Sequence, residues 1–112
     1  MVTLKSLVDT YNYKVFTLED ENATFKGGYT GDLLSDVMGN GEEDTVFITI
    51  QAHKNSVAVA SLLGIKAILL CNGREADNDM IEAAKKENIA ILGTDEDQFT
   101  SSWKIATLLG LK

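Results

Sequence analysis

Proline is absent from the 112 residues, and cysteine, histidine, arginine and tryptophan each occur once. A single cysteine excludes an intrachain disulfide and suits a reducing cytoplasm. One cysteine and one histidine do not make a zinc-ligand spacing pattern. Basic residues are sparse: net charge is −7, and no basic cluster is longer than Lys85-Lys86. That argues against a nucleic-acid or anionic-membrane surface. No apolar run approaches the ~20 residues of a membrane span. Met1 to Lys5 lacks the charged-then-apolar pattern of a signal peptide. Neither G-x-x-x-x-G-K-[ST] nor G-x-G-x-x-G occurs. There is no internal repeat, low-complexity tract or linker, so residues 1–112 read as one domain.

What is present is a well-punctuated apolar pattern, with 45% hydrophobic residues. Thr45–Ile50, Lys66–Cys71 and Ile89–Leu92 read as buried strands. Residues 55–63 and 78–87 read as helical crossovers between them. This β-α-β-α-β run has spacers long enough for parallel pairing. Upstream, Leu4, Leu7, Val8 and Tyr11 fall at helical spacing, and Tyr13–Leu18 alternates as a strand. Thr24-Phe25 reads as a strand fragment, and Leu33, Leu34, Val37 and Met38 share one helical face. Downstream, Thr94-x-x-Asp97 resembles a capping box. Phe99, Trp103, Ala106 and Leu109 then form the stripe expected to be buried. The fold expected is a three-layer α/β/α sandwich with a mostly parallel sheet.

Such sheets place ligands at the carboxyl ends of their strands. Those ends are Gln51-Ala-His-Lys54, Asn72-Gly-Arg-Glu75 and Gly93-Thr-Asp-Glu96. Arg74, the only arginine, is the best anion contact, with Asn72 and Gly73 forming a turn beside it. His53 opens a helix at the same edge, as a ligand or interface contact or as plain structure. The stretch Gly27-Gly-Tyr-Thr-Gly31 reads either as a loop holding an anion on backbone N–H groups, which makes Gly28 and Gly31 candidates, or as a tight turn needing positive φ. Cys71 reads as a small buried hydrophobe, with a Cys71–His53 dyad as the catalytic alternative. No complete catalytic set, metal site or cofactor site is expected. Val57–Leu63 is apolar nearly all round. It is either a central helix covered by the sheet and the N-terminal segment, or a subunit contact through Val57, Val59, Ala60 and Leu63.

Ile65–Glu75, followed by residues 77–94, resembles the DRTGG domain, related to the N-terminal domain of HPr kinase/phosphorylase. The likeness rests on Asn72-Gly-Arg-Glu75 and Ile89-Ala-Ile-Leu-Gly-Thr94. Gly31–Met38 and Ile48–Ala60 add to it, so it covers residues 27–109. The Asp-Arg-Thr-Gly-Gly string itself is absent, and Gln51-Ala-His-Lys54 stands about where a Gly-Asp-Arg-like turn would fall. The resemblance implies an HPr kinase N-terminal-domain-like fold and an accessory or regulatory role. The serine-kinase activity sometimes attached to such proteins belongs to a separate P-loop domain.

Three functions follow as expectations. The first is a cytoplasmic, non-enzymatic regulatory or interaction module, homodimeric and with a protein partner in a regulatory or redox pathway. The second is a small-ligand sensor for a nucleotide or other anion at the strand edge. The third is a small enzyme using His53 or Cys71.

Overall fold

The computed structural model describes residues 1–111. The elements run β1 (Val2–Thr3), α1 (Leu4–Tyr11), β2 (Lys14–Thr17), β3 (Thr24–Phe25), β4 (Gly27–Thr30), α2 (Leu34–Asn40), β5 (Thr45–Thr49), α3 (Lys54–Leu63), β6 (Ala67–Leu70), α4 (Asn78–Lys86), β7 (Ala90–Gly93) and α5 (Gln98–Leu108). The main sheet has the order β2-β7-β6-β5-β4, and β1 pairs with β3 in a separate ribbon. β4 through β7 are parallel, and β2 joins antiparallel to β7 with a register irregularity between Val15 and Thr17.

Every residue of β5, β6 and β7 is buried. Strands covered on both faces lose the polar alternation of a one-sided sheet, which is why they stand out as apolar runs. Within them the side chains still alternate between two cores. Val46, Ile48, Leu69 and Leu92 join Leu4, Leu7 and Ile105 on one face. Phe47, Ile68, Leu70 and Ile91 join Val37, Val57, Met80 and Ala84 on the other.

From β4 to β7 each crossover steps one strand in the same direction. Right-handed crossovers then put α2, α3 and α4 on a single face. The opposite face is left to α1 and α5, the elements near the chain ends. The three-layer α/β/α sandwich with a mostly parallel sheet is therefore present.

Local chemistry sets the element ends. Thr3 Oγ1 accepts from the Ser6 N–H at 3.1 Å to start α1. Asp77 and Asp97 carboxylates accept from Met80 at 2.9 Å and Thr100 at 2.8 Å to start α4 and α5, the oxygen-to-N3 bond of an N-cap. The α5 cap is thus Asp97, and Thr94 is not part of a capping box. Its Oγ1 accepts from Glu96 N–H at 3.2 Å within the preceding loop.

Three sequence expectations need correction. First, Gly27–Thr30 is neither an anion loop nor a positive-φ turn. It is the edge strand β4, registered with Thr45–Ile48 of β5, and none of Gly27, Gly28 and Gly31 has positive φ. Second, Val57, Val59 and Ala60 are buried within the chain and Leu63 is half-buried. They are covered by the sheet and by α2 and α4, not by the N-terminal segment, which lies on the far face. They form no open subunit surface. Only Ala58 and Leu62 of that apolar run are exposed. Third, α5 turns Ser101 and Ile105 inward, while Phe99 is 78% exposed and Trp103 50% exposed. Ala106 and Leu109 are half-buried.

Candidate functional site

Because the strand order never reverses within β4–β7, the parallel part of the sheet has no switch-point crevice of the doubly wound kind. The recess at the carboxyl edge forms instead where the antiparallel β2 begins beside the end of β7, with Lys14 opposite Gly93. There a cleft of about 420 Å3 is lined by residues of the α1–β2 segment, the β6–α4 and β7–α5 loops and α5.

The floor of the cleft is backbone. Asn72 (φ 58°) and Gly73 (φ 70°) are both left-handed, the pair of conformations that selects Asn-Gly in two-residue turns. The turn closes through Arg74 N–H to Cys71 O at 3.1 Å. The Asn72 and Gly73 N–H groups donate to Glu96 O and Thr94 O, both at 2.9 Å. These amides tie the β6–α4 loop to the β7–α5 loop, so they are already used and do not point at a ligand. Gly93 leaves room for the Phe16 ring, since a Cβ there would lie 2.8 Å from Phe16 Cε2.

The walls carry mixed charge. Lys14 Nζ pairs with Glu75 at 2.8 Å and lies 4.8 Å from the centre of the Phe16 ring. The Lys14 ammonium hydrogen-bonded to Glu75 holds that carboxyl below the usual range. Lys104 Nζ pairs with the half-buried Glu96 at 2.6 Å and lies 5.4 Å from the Tyr11 ring centre. The Tyr11 hydroxyl donates to Lys104 O at 2.6 Å, joining α1 to α5. Arg74 and Asp95 also line the cleft, and among the described residues neither has an ion-pair partner within 4 Å. Arg74 is therefore the cation in this cleft whose fork is free to receive an anion. Tyr13 is buried, its hydroxyl without a hydrogen-bond partner, and burial pushes that phenol well up, so it stays protonated.

The other candidate residues are elsewhere. His53 is the exposed N-cap of α3, its Nδ1 accepting from Asn55 N–H at 3.1 Å. It does not line the cleft with Arg74. Gly28 lines shallow recesses at the β4 edge. Gly31 donates to Ile48 O at 3.1 Å at the end of β4. The expected gathering of Arg74, His53 and the glycine stretch into one site is therefore not formed. Cys71 is fully buried and its thiol donates to Ser101 Oγ at 3.5 Å rather than meeting His53. Burial pushes the thiol up, away from the reactive thiolate, with the Ser101 bond opposing in part. Among the described residues no three His, Cys, Asp or Glu side chains are placed to hold a metal ion. No helix there is long and apolar enough to cross a membrane.

Lys14, Tyr11 and Lys104 escaped the sequence reading. Their arrival depends on β2 pairing antiparallel with a strand far along the chain. The alternating pattern of residues 13–18 identifies a strand but not its neighbour.

The fold and site define a small α/β domain whose parallel strands are wound in one direction, with a charge-balanced cleft at one edge. The chain belongs to the DRTGG domain family, whose model matches residues 30–108. A comparison with curated proteins returns no match. Among solved structures it is similar to the CBS and DRTGG domains of the regulatory region of Clostridium perfringens pyrophosphatase, complexed with the activator diadenosine tetraphosphate. The TM-score is 0.76 at 22% identity, covering 90% of this chain and 44% of that one. This chain thus spans less than half the length of that regulatory region.

Proposed function

We propose that this chain is a cytoplasmic regulatory interaction module and not an enzyme, self-associating and meeting a protein partner in a regulatory or redox pathway. The observation that carries this reading is the exposed aromatic pair on α5, Phe99 and Trp103. Trp is among the residue types that dominate binding energy at protein interfaces. Family membership and the regulatory region that it resembles support the same reading. Native mass spectrometry of the protein purified from its own organism tests it. A stoichiometric dimer or complex is expected. A bare monomer that turns over a substrate overturns it. Incubation with ATP, magnesium and HPr should leave HPr unmodified, because the chain has no P-loop lysine or magnesium-ligand set.

A second reading, a sensor of small anions, is favoured by the unpaired Arg74 in the cleft. The similar pyrophosphatase region was solved with an anionic nucleotide activator. Arg holds phosphate or carboxylate through a bidentate fork. If a nucleotide binds there, Arg74→Ala weakens it by roughly 1.5–3 kcal/mol, read by calorimetry. Binding that survives Arg74→Ala unchanged places the ligand elsewhere.

A further inference from the structure

Three cations and three carboxylates line the cleft at the carboxyl edge, so it is neutral overall in a chain of net charge −7. Four of the six are spent on each other. Lys14 meets Glu75 at 2.8 Å and Lys104 meets Glu96 at 2.6 Å. Arg74 and Asp95 remain. Both are exposed in the same cleft, and among the described residues neither has an ion-pair partner within 4 Å. Their loops are fastened together, because the Gly73 and Asn72 amides donate to Thr94 O and Glu96 O on either side of Asp95. Gly73, left-handed at φ 70°, lies against the Asp95 carboxylate, since a Cβ there would stand 3.1 Å from Asp95 Oδ1. That carboxylate is therefore beside the residue preceding Arg74, and consecutive Cα atoms are about 3.8 Å apart. A free cation and a free anion are thus mounted on neighbouring backbone without meeting.

We propose that the cleft takes a small zwitterion of the amino-acid class, its carboxylate in the Arg74 fork and its ammonium on Asp95. The inference rests on the small-anion reading of Arg74 and adds the second charge that reading leaves out. A ligand of one sign satisfies only half of the free pair. A simple anion on Arg74 brings its charge towards Asp95, and a simple cation on Asp95 meets Arg74. A zwitterion answers both and keeps the cleft neutral. Arg holds a carboxylate through two parallel N–H bonds. An ammonium has three donors, and an ionised Asp only accepts. Lys14 and Lys104 compete little for the carboxylate, because each would first have to give up its glutamate. The half-buried rings of Tyr11 and Phe16 supply an apolar wall for the ligand's side chain. The size agrees, since 420 Å3 lies at the small end of the roughly 300–1,000 Å3 of ligand pockets.

Thermal shift across the standard L-amino acids at ~10 mM, above a weak dissociation constant of ~1 mM, selects a binder. Calorimetry then compares it with its N-acetyl derivative, which keeps only the carboxylate, and its carboxamide, which keeps only the ammonium. At least one amino acid should raise the melting temperature, and both derivatives should bind at least ~10-fold more weakly, about 1.4 kcal/mol. Asp95→Asn removes the charge with little change of shape. It should weaken the amino acid at least ~10-fold and leave the N-acetyl derivative unchanged or tighter, with native circular dichroism. Glu42→Gln, exposed just before β5 at the other end of the sheet, should change nothing. The zwitterion is overturned by the absence of a shift with every amino acid, by an N-acetyl derivative as tight as its parent, or by binding that Asp95→Asn leaves unchanged. In those cases ATP and the N-acetyl derivative decide the wider reading. If either binds and Arg74→Ala abolishes it, the small-anion reading stands alone. If neither does, that reading falls as well.

Discussion

The two faces of the sheet are covered in different ways. One receives three helices as an automatic result of three right-handed steps in the same direction. There Phe47, Ile68, Met80 and Ala84 are wholly buried. The other face is closed by α1, the β1–β3 ribbon and α5, which come from the ends of the sequence. Its core is as dry, with Leu7, Leu69 and Leu92 fully buried, but its outer surface keeps Phe99 and Trp103 in solvent. Crossover helices are wedged between neighbours and the sheet, so Val57, Val59 and Ala60 of α3 find partners inside the chain, while Ala58 and Leu62 on its outer side stay exposed. α5 packs against β4 and β5 on one side, and its outer residues are left facing out.

The strongest way to break this comparison is to put one charge on each face. Val59→Asp buries an unpaired carboxylate among α2, α4 and the sheet, where ions are very costly. The native circular dichroism should be lost. Phe99→Asp, on the open side of α5, should leave the spectrum native at low protein concentration. Equal damage from both would mean that α5 is covered within the single chain.

Truncation sharpens the same contrast. Phe47→Ala should cost about 3–5 kcal/mol, as for a fully buried aromatic. Phe99→Ala in the monomer should stay within about 0.5 kcal/mol, as at a surface position. Urea unfolding at low micromolar protein separates the two.

The smallest effect concerns the cap of α5. Hydrogen bonding to Thr100 holds the Asp97 carboxyl below its ordinary range. Its contribution is therefore fully present above the ordinary carboxylate value and fades as pH falls through the lower folded value. The melting-temperature gap between wild type and Asp97→Ala should narrow below pH ~4. A gap that is constant with pH would show that the carboxylate does not act as the cap.

The buried strands were legible because burial on both faces makes them continuous apolar runs bounded by turns. β4 was not, since the strand-disfavouring Gly27-Gly28 precedes only two strand-favouring residues, Tyr29 and Thr30. It is held by backbone pairing to β5 and by the closeness of Ile105, neither of which is local. Arg74, Asn72 and Gly73 could be placed at the strand edge from order alone. His53 could be placed at the start of α3, but its use as the cap depends on a ring orientation that no spacing encodes. On α5 the periodicity identified a real stripe and assigned it to the wrong side. Ser101 and Ile105 form a second, less apolar stripe, and the β4–β5 surface accepts small side chains where it has Gly28. Hydrophobicity ranked Phe99 and Trp103 inward, and steric fit ranked them outward.

The antiparallel attachment of β2 also orders events in time. β4 to β7 are consecutive neighbours, each joined by one crossover, so their pairing closes much shorter loops than that of β2 with β7. β2 must instead wait for β7, and it pairs through only Lys14, Val15 and Thr17 across an irregular register. Its release requires no break in the parallel strands. Amide exchange at residues 14–17 should thus proceed through a partial opening cheaper than global unfolding, while β6 exchanges only with the whole molecule. Since Lys14 and Phe16 form one wall of the cleft, the cleft is the last part of the edge to be completed and the first to be dismantled. A ligand held between Lys14 and Arg74 would act as a latch on β2, slowing exchange there while leaving β6 at its own rate.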